Sequence, residues 1–100
     1  MTVSASSAPA IAIEAGVCRI NGALNFVTAP GVLRQVVSHI HKNPELEVDL
    51  SGVSESNSVG LALMIEWLAE ARRKKHSVTF SHIPNSLRQL AGVCQVDRLI

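Results

Sequence analysis

The run Leu46-Glu47-Val48-Asp49-Leu50 alternates apolar and acidic side chains, and shortly after it Leu61, Met64, Ile65 and Leu68 recur at helical spacing. A period of two sends successive side chains to opposite faces of a strand, whereas a period near 3.6 gathers them on one stripe of a helix. A strand therefore feeds a helix through the hydroxyl-rich loop Ser54-Glu55-Ser56, and the helix begins near Asn57-Ser58. A chain built on such a unit is constrained to a sheet with a helix laid against it.

The same two periods recur on either side. Residues 10–15 read as a strand and Val17 to Gly22 as its antiparallel partner, with Ala15-Gly16 as the turn, since glycine tolerates positive φ. Thr28 is a plausible N-cap and Pro30 suits a first helical turn. Leu33, Val36, Val37 and Ile40 then follow on one face, and Asn43-Pro44 ends the helix. The second helix closes on Arg72-Arg73-Lys74-Lys75, cations that complement the negative end of the helix dipole. Ser77 to Ser81 supplies another strand with Val78 and Phe80 on one face. Pro84 opens a third helix carrying Leu87, Leu90, Ala91 and Cys94, and Val96 to Ile100 reads as a last extended piece. The order predicts a single α/β domain over residues 10–100, preceded by a flexible leader at 1–9. Its mixed β-sheet starts with a hairpin, and right-handed crossovers carry helices packed mainly on one face.

Composition removes several function classes. With 47% hydrophobic and 17% charged residues in 100, the chain is globular and builds one core. Phe26, Trp67 and Phe80 are its only aromatic residues and its formal net charge is +1, so stacking surfaces are scarce and the field that nucleic acid requires is missing. Met1 to Pro9 lacks the basic start and apolar run of a secretory signal, and no span approaches the roughly 20 apolar residues that cross a bilayer. Cys18 and Cys94 lie far apart among apolar neighbours and are expected to be small buried hydrophobes in a reducing, cytoplasmic compartment.

No catalytic, cofactor-binding or metal residues are expected. Gly52-Val53-Ser54-Glu55-Ser56 lacks the final glycine of a nucleophile elbow. His39, His41, His76 and His82 are dispersed, and the i, i+2 pair His39 and His41 point to different sides of a helix. Neither a phosphate-cradling P-loop nor a dinucleotide fingerprint is present.

What stands out is a candidate binding address. Asn57-Ser58 sits at a helix start, where either side chain can cap the free amides for roughly 1 kcal/mol. Ser58 is equally a candidate phosphorylation site, because a phosphate there meets unpaired amide donors and the positive end of the dipole. Gly60, inside the first turn, costs roughly 1 kcal/mol against alanine, which points either to a packing or partner constraint or to a tight helix start. At 100° per residue, Leu63 lies almost opposite the stripe Leu61, Met64, Ile65 and Leu68, with Trp67 between the two faces. Leu63 and Trp67 are thus either core-edge residues or an exposed docking patch at i and i+4.

Val48-Asp49-Leu50-Ser51-Gly52-Val53 followed by Asn57-Ser58-Val59-Gly60-Leu61 resembles the STAS-domain pattern: Asp-Leu-Ser, a short gap, then Asp-Ser or Asp-Thr, any residue, and Gly-Leu. This is the family of bacterial anti-sigma-factor antagonists and of transporter-associated regulatory domains, and the resemblance runs from Ile11 to Ile100. Within it, Gly22-Ala23-Leu24-Asn25-Phe26-Val27-Thr28-Ala29 and Gly60-Leu61-Ala62-Leu63-Met64 look closer to MlaB-type proteins. That resemblance implies a non-catalytic subunit that binds the cytoplasmic ATPase of an ABC transporter moving phospholipids. Such a protein works at the inner face of the inner membrane and touches the membrane only through the transporter. It implies partner contacts at Ser54, Ser56, Asn57, Ser58, Val59 and Gly60, with Leu63 and Trp67 as apolar additions. The alternative that the wider family implies is an antagonist switched by phosphorylation of Ser58, with an anti-sigma factor acting as serine kinase. Asn57 departs from the family's usual aspartate; it removes a charge that a kinase reads beside the hydroxyl and still caps the helix.

Overall fold

The computed structural model describes residues 10–100; the expected leader at 1–9 lies outside the described residues. Strand β1 (Ala10–Glu14) turns through Ala15 and Gly16, at φ +53° and +80°, into antiparallel β2 (Val17–Leu24). Helix α1 (Ala29–Lys42), strand β3 (Glu45–Ser56), helix α2 (Ser58–Lys74), strand β4 (Ser77–Ser81) and helix α3 (Asn85–Val93) follow. The sheet order is β1-β2-β3-β4, and both β2–β3 and β3–β4 are parallel, so the sheet is mixed and opens with a hairpin, as the alternating periods require.

Register separates two faces. Cys18 lies opposite Val48, which lies opposite Phe80, while Leu46 faces Val78; all of these except half-buried Phe80 are buried, and together they form the floor of the core. Val32, Val36 and Ile40 of α1 and Met64, Trp67 and Ala71 of α2 close over that floor. The opposite face carries Arg19, Asp49 and Ser81 in one cross-strand row and Glu47 beside Thr79 in the next. Placing the helices on a single side is the expected consequence of two parallel crossovers that step the same way across the sheet.

Between α1 and α2, Glu70 takes hydrogen bonds from Arg73 and His41. These partners, Arg73 first, hold its carboxyl down at about 2. The α2 C-terminus closes on Lys75 in the left-handed region, with φ +61°.

Three expectations are corrected. Residues 96–100 do not extend the sheet: Gln95 at φ +61° and the Val96 N–H bonded to the Ala91 carbonyl fold the chain back on α3, and Asp97–Leu99 forms a 3-10 turn. Cys94 caps the end of α3 and is exposed, so only Cys18 is the buried hydrophobe that was expected, its thiol pushed up to about 11 by burial. Finally, α2 buries Gly60, Leu61, Leu63, Met64, Trp67 and Ala71 while Ile65 and Leu68 are only partly covered, a stripe rotated by roughly 80° from the expected one at 100° per residue.

Candidate functional site

Strand β3 runs longer than its alternating pattern. Ser54, Glu55 and Ser56 are strand rather than loop, because β2 continues beside them to pair Ala23 with Glu55 and Leu24 with Ser56. The register slips between Arg19 and Asn21 and again between Gly22 and Ala23. Gly52 makes room for the first slip: a Cβ there would lie 1.7 Å from Asn21 Oδ1 and 2.9 Å from the Ile20 carbonyl. Gly22, at φ +116°, serves the second.

A single residue, Asn57, connects β3 to α2, and it is the N-cap. Its Oδ1 accepts the Val59 N–H at 2.9 Å and its carbonyl accepts the Gly60 N–H at 2.8 Å. Ser58 therefore occupies the first helical position, exposed, and takes no part in the capping bond. Ser54 is exposed as well, and Val59 is half-covered. Ser56 Oγ is buried with no hydrogen-bond partner among the described residues.

Gly60 is a packing glycine. A Cβ added to it would lie 3.2 and 3.3 Å from the Leu87 methyls and 3.3 Å from Ser56 Cβ, so its absence lets α3 close against the first turn of α2. Gly60 itself is buried and offers no surface.

Leu63 and Trp67 do not form an exposed patch. Leu63 is 4% exposed and Trp67 fully buried, its ring 6.4 Å from that of Phe80. The helix is covered from three directions, by α1, by α3 and by β4, so Leu63, on the far side from the predicted stripe, also lies inside, while Glu66 on that side is exposed. The large apolar side chains exposed at this end of the sheet are Phe26 and Val27, in the loop that leaves β2 where α2 leaves β3. The signal for that surface was present in the sequence as two segments without charge, Ile20 to Leu33 and Ser56 to Ile65.

The polar face has its own centre. Asp49 accepts the Ser51 N–H at 2.9 Å, Arg19 Nε at 3.1 Å and bonds His82 Nδ1 at 3.1 Å. The Ser51 amide above all, together with these side chains, holds its carboxyl well below the usual range against the opposing effect of desolvation. A buried carboxylate so paired joins β2, β3 and the segment after β4, which gives the aspartate of the Asp49-Leu50-Ser51 motif a structural task. Beside it, Ser81 donates to Glu47 at 2.6 Å. Among the described residues no group of three or more His, Cys, Asp or Glu is placed to hold a metal ion, and no helix is long and apolar enough to cross a membrane.

Comparison with solved structures finds this architecture in anti-sigma-factor antagonists. One from Mycobacterium paratuberculosis superposes with a TM-score of 0.68 at 22% identity over 92% of this chain and 80% of its own. A candidate antagonist from Thermotoga maritima reaches 0.73 at 17% identity, covering 92% and 82%. The antagonist SpoIIAA in its unphosphorylated form reaches 0.65 at 12% identity, covering 90% and 83%. At such identities the likeness is one of fold. No curated protein matches in sequence. The family model described as Mlab, STAS domain matches residues 7–100. A hairpin-led mixed sheet with one helical layer, an Asp-Leu-Ser strand and a serine at the start of the second helix thus occur together in a chain that belongs to the Mlab family of STAS domains.

Proposed function

We propose that this chain is a non-catalytic regulatory and assembly subunit that binds the cytoplasmic ATPase of an ABC transporter for phospholipid trafficking. It acts in the cytoplasm at the inner face of the inner membrane and reaches the membrane only through that complex. The docking surface is the end of the sheet bearing Ser54, Asn57, Ser58 and Val59, while Ser56 and Gly60 shape it from beneath. The observation that carries the reading is that Asn57 does the capping, which leaves an exposed Ser58 hydroxyl at the start of α2, free to bond across an interface, in a chain that matches the Mlab model over residues 7–100. Co-purification with the ATPase subunit of such a transporter from the same genome tests it. Ser58→Arg is expected to abolish the complex with the fold intact; a complex that tolerates Ser58→Arg refutes this surface.

A second reading is favoured by the same exposed hydroxyl and by the likeness to SpoIIAA, a protein described in an unphosphorylated form. As a phosphorylated antagonist, the chain would carry phosphate on Ser58 at the positive end of the 17-residue helix α2 and change its surface without unfolding. Mass spectrometry of protein from cells, and after incubation with the cognate anti-sigma kinase, checks it. Absence of phosphate on Ser58 in both samples removes this reading.

A further inference from the structure

With Leu63 and Trp67 in the core, the docking surface needs another source of apolar contact. Phe26 and Val27 are 76% and 79% exposed, neighbours in sequence on the loop between β2 and α1. That loop is held from both ends. Asn25 Oδ1 accepts the Val27 and Thr28 amides at 2.9 and 3.0 Å, and buried Thr28 accepts the Asn25 amide at 3.0 Å through Oγ1 while donating to the Ala23 carbonyl at 2.9 Å. Thr28 stands at the N-cap position of α1 without a side-chain capping bond; its hydroxyl is spent on the loop instead. The two apolar side chains therefore stand on a prearranged turn, so ordering them on binding costs little. Because Leu24 is paired with Ser56, this loop and the Asn57-Ser58 helix start leave the sheet side by side.

The two segments that meet here carry no charge: neither Ile20 to Leu33 nor Ser56 to Ile65 contains an acidic, basic or histidine residue, and Glu55, opposite Ala23, borders them. Depletion of charge around an exposed aromatic is the composition of an interface centre. It complements an uncharged apolar pocket, and neither segment supplies a cationic side chain for the phosphate groups of lipid or nucleic acid.

We infer that Phe26, supported by Val27, is the apolar anchor of the docking surface and inserts into an uncharged pocket of the ATPase subunit beside the contact made by Ser58. This inference rests on the docking reading above.

The test is binding of the purified chain to the purified ATPase subunit of the phospholipid-transport system from the same genome, with Ser58→Arg measured in parallel. Phe26→Ala is expected to raise Kd roughly 30-fold, mainly through faster dissociation, and to leave Tm unchanged. Val27→Ser is expected to act in the same direction and less strongly. If Phe26→Ala binds within threefold of the unaltered chain while Ser58→Arg does not bind, the anchor is wrong and the docking reading stands. If the unaltered chain does not bind the ATPase, the docking reading falls and the anchor with it. A concentration-dependent dimer in sedimentation that Phe26→Ala dissolves overturns the inference in favour of a second copy.

Discussion

Replacing Asn57 and Ser58 one at a time by alanine separates the two roles that adjoin at the start of α2. Asn57 Oδ1 holds the Val59 amide at 2.9 Å, and the Asn57 carbonyl holds the Gly60 amide at 2.8 Å. Alanine at 57 removes the first bond and keeps the second, so the loss is that of one N-cap, about 1 kcal/mol within a range of 0.5–2. In a domain of this size that lowers Tm by roughly 4–8 °C. It also lowers the urea midpoint by about 1 M if the slope is about 1 kcal/mol per M. Ser58 is exposed at the first helical position and outside the capping bond, so Ser58→Ala exchanges a middling helix former for the best one. The result is a change of no more than about 0.5 kcal/mol, in the stabilising direction. Asn57→Asp keeps the cap and adds a negative charge at the positive end of the dipole, for a gain of about 0.3–1 kcal/mol. Thermal and urea unfolding followed by circular dichroism measures all three. A Ser58→Ala variant that loses as much stability as Asn57→Ala would refute the division of labour and return the capping role to the serine.

Four further outcomes are expected. Because the Asp49 carboxyl is held below its unfolded value near 3.9, its contribution is fully present above about pH 4 and is lost as pH falls towards the native value. Asp49→Asn should therefore cost roughly 1–2 kcal/mol at pH 7, allowing for the exposure of Arg19 and His82, and the gap to the parent should narrow in urea titrations below pH 4. A soluble disulfide reagent at pH 8 should titrate Cys94 in the native protein and reach Cys18 only after unfolding; a fast second thiol in the native state would contradict the burial of Cys18. Ser56→Ala should raise stability by about 1 kcal/mol in the same unfolding assays, since it removes a buried hydroxyl with no partner. Gly52→Ala should destabilise by about 1–3 kcal/mol through the collision with Asn21 Oδ1 and the Ile20 carbonyl, and Gly52→Ala combined with Asn21→Ala should recover only part of it, because the carbonyl cannot move aside.

Asn57 and Ser58 also mark the limit of what a sequence pattern resolves. Both residues are good caps, and which of them caps depends on where the strand stops, a matter of one residue that β2 decides by pairing as far as Ser56. The Ala15-Gly16 turn, the start of α1 at Ala29 beside Pro30 and the start of α3 after Pro84 were legible because each is a local preference of the backbone. The docking patch expected at Leu63 and Trp67 was not. A helical period tells how apolar residues are grouped, but α2 is packed by α1, α3 and β4 together, so neither its direction nor the number of covered faces follows from its own residues.

Element order, a mixed hairpin-led sheet and a serine where the second helix begins are written in the residues themselves, because periodicity and turn chemistry are properties of short segments. Packing of the elements against one another sets which residues meet from distant segments: Arg19, Asp49 and His82 on the polar face, Glu70 with His41, Gly60 against Leu87. It also decided that Trp67 lies inside and Phe26 outside, since burial of an aromatic side chain depends on which neighbours close over it and not on the residue itself.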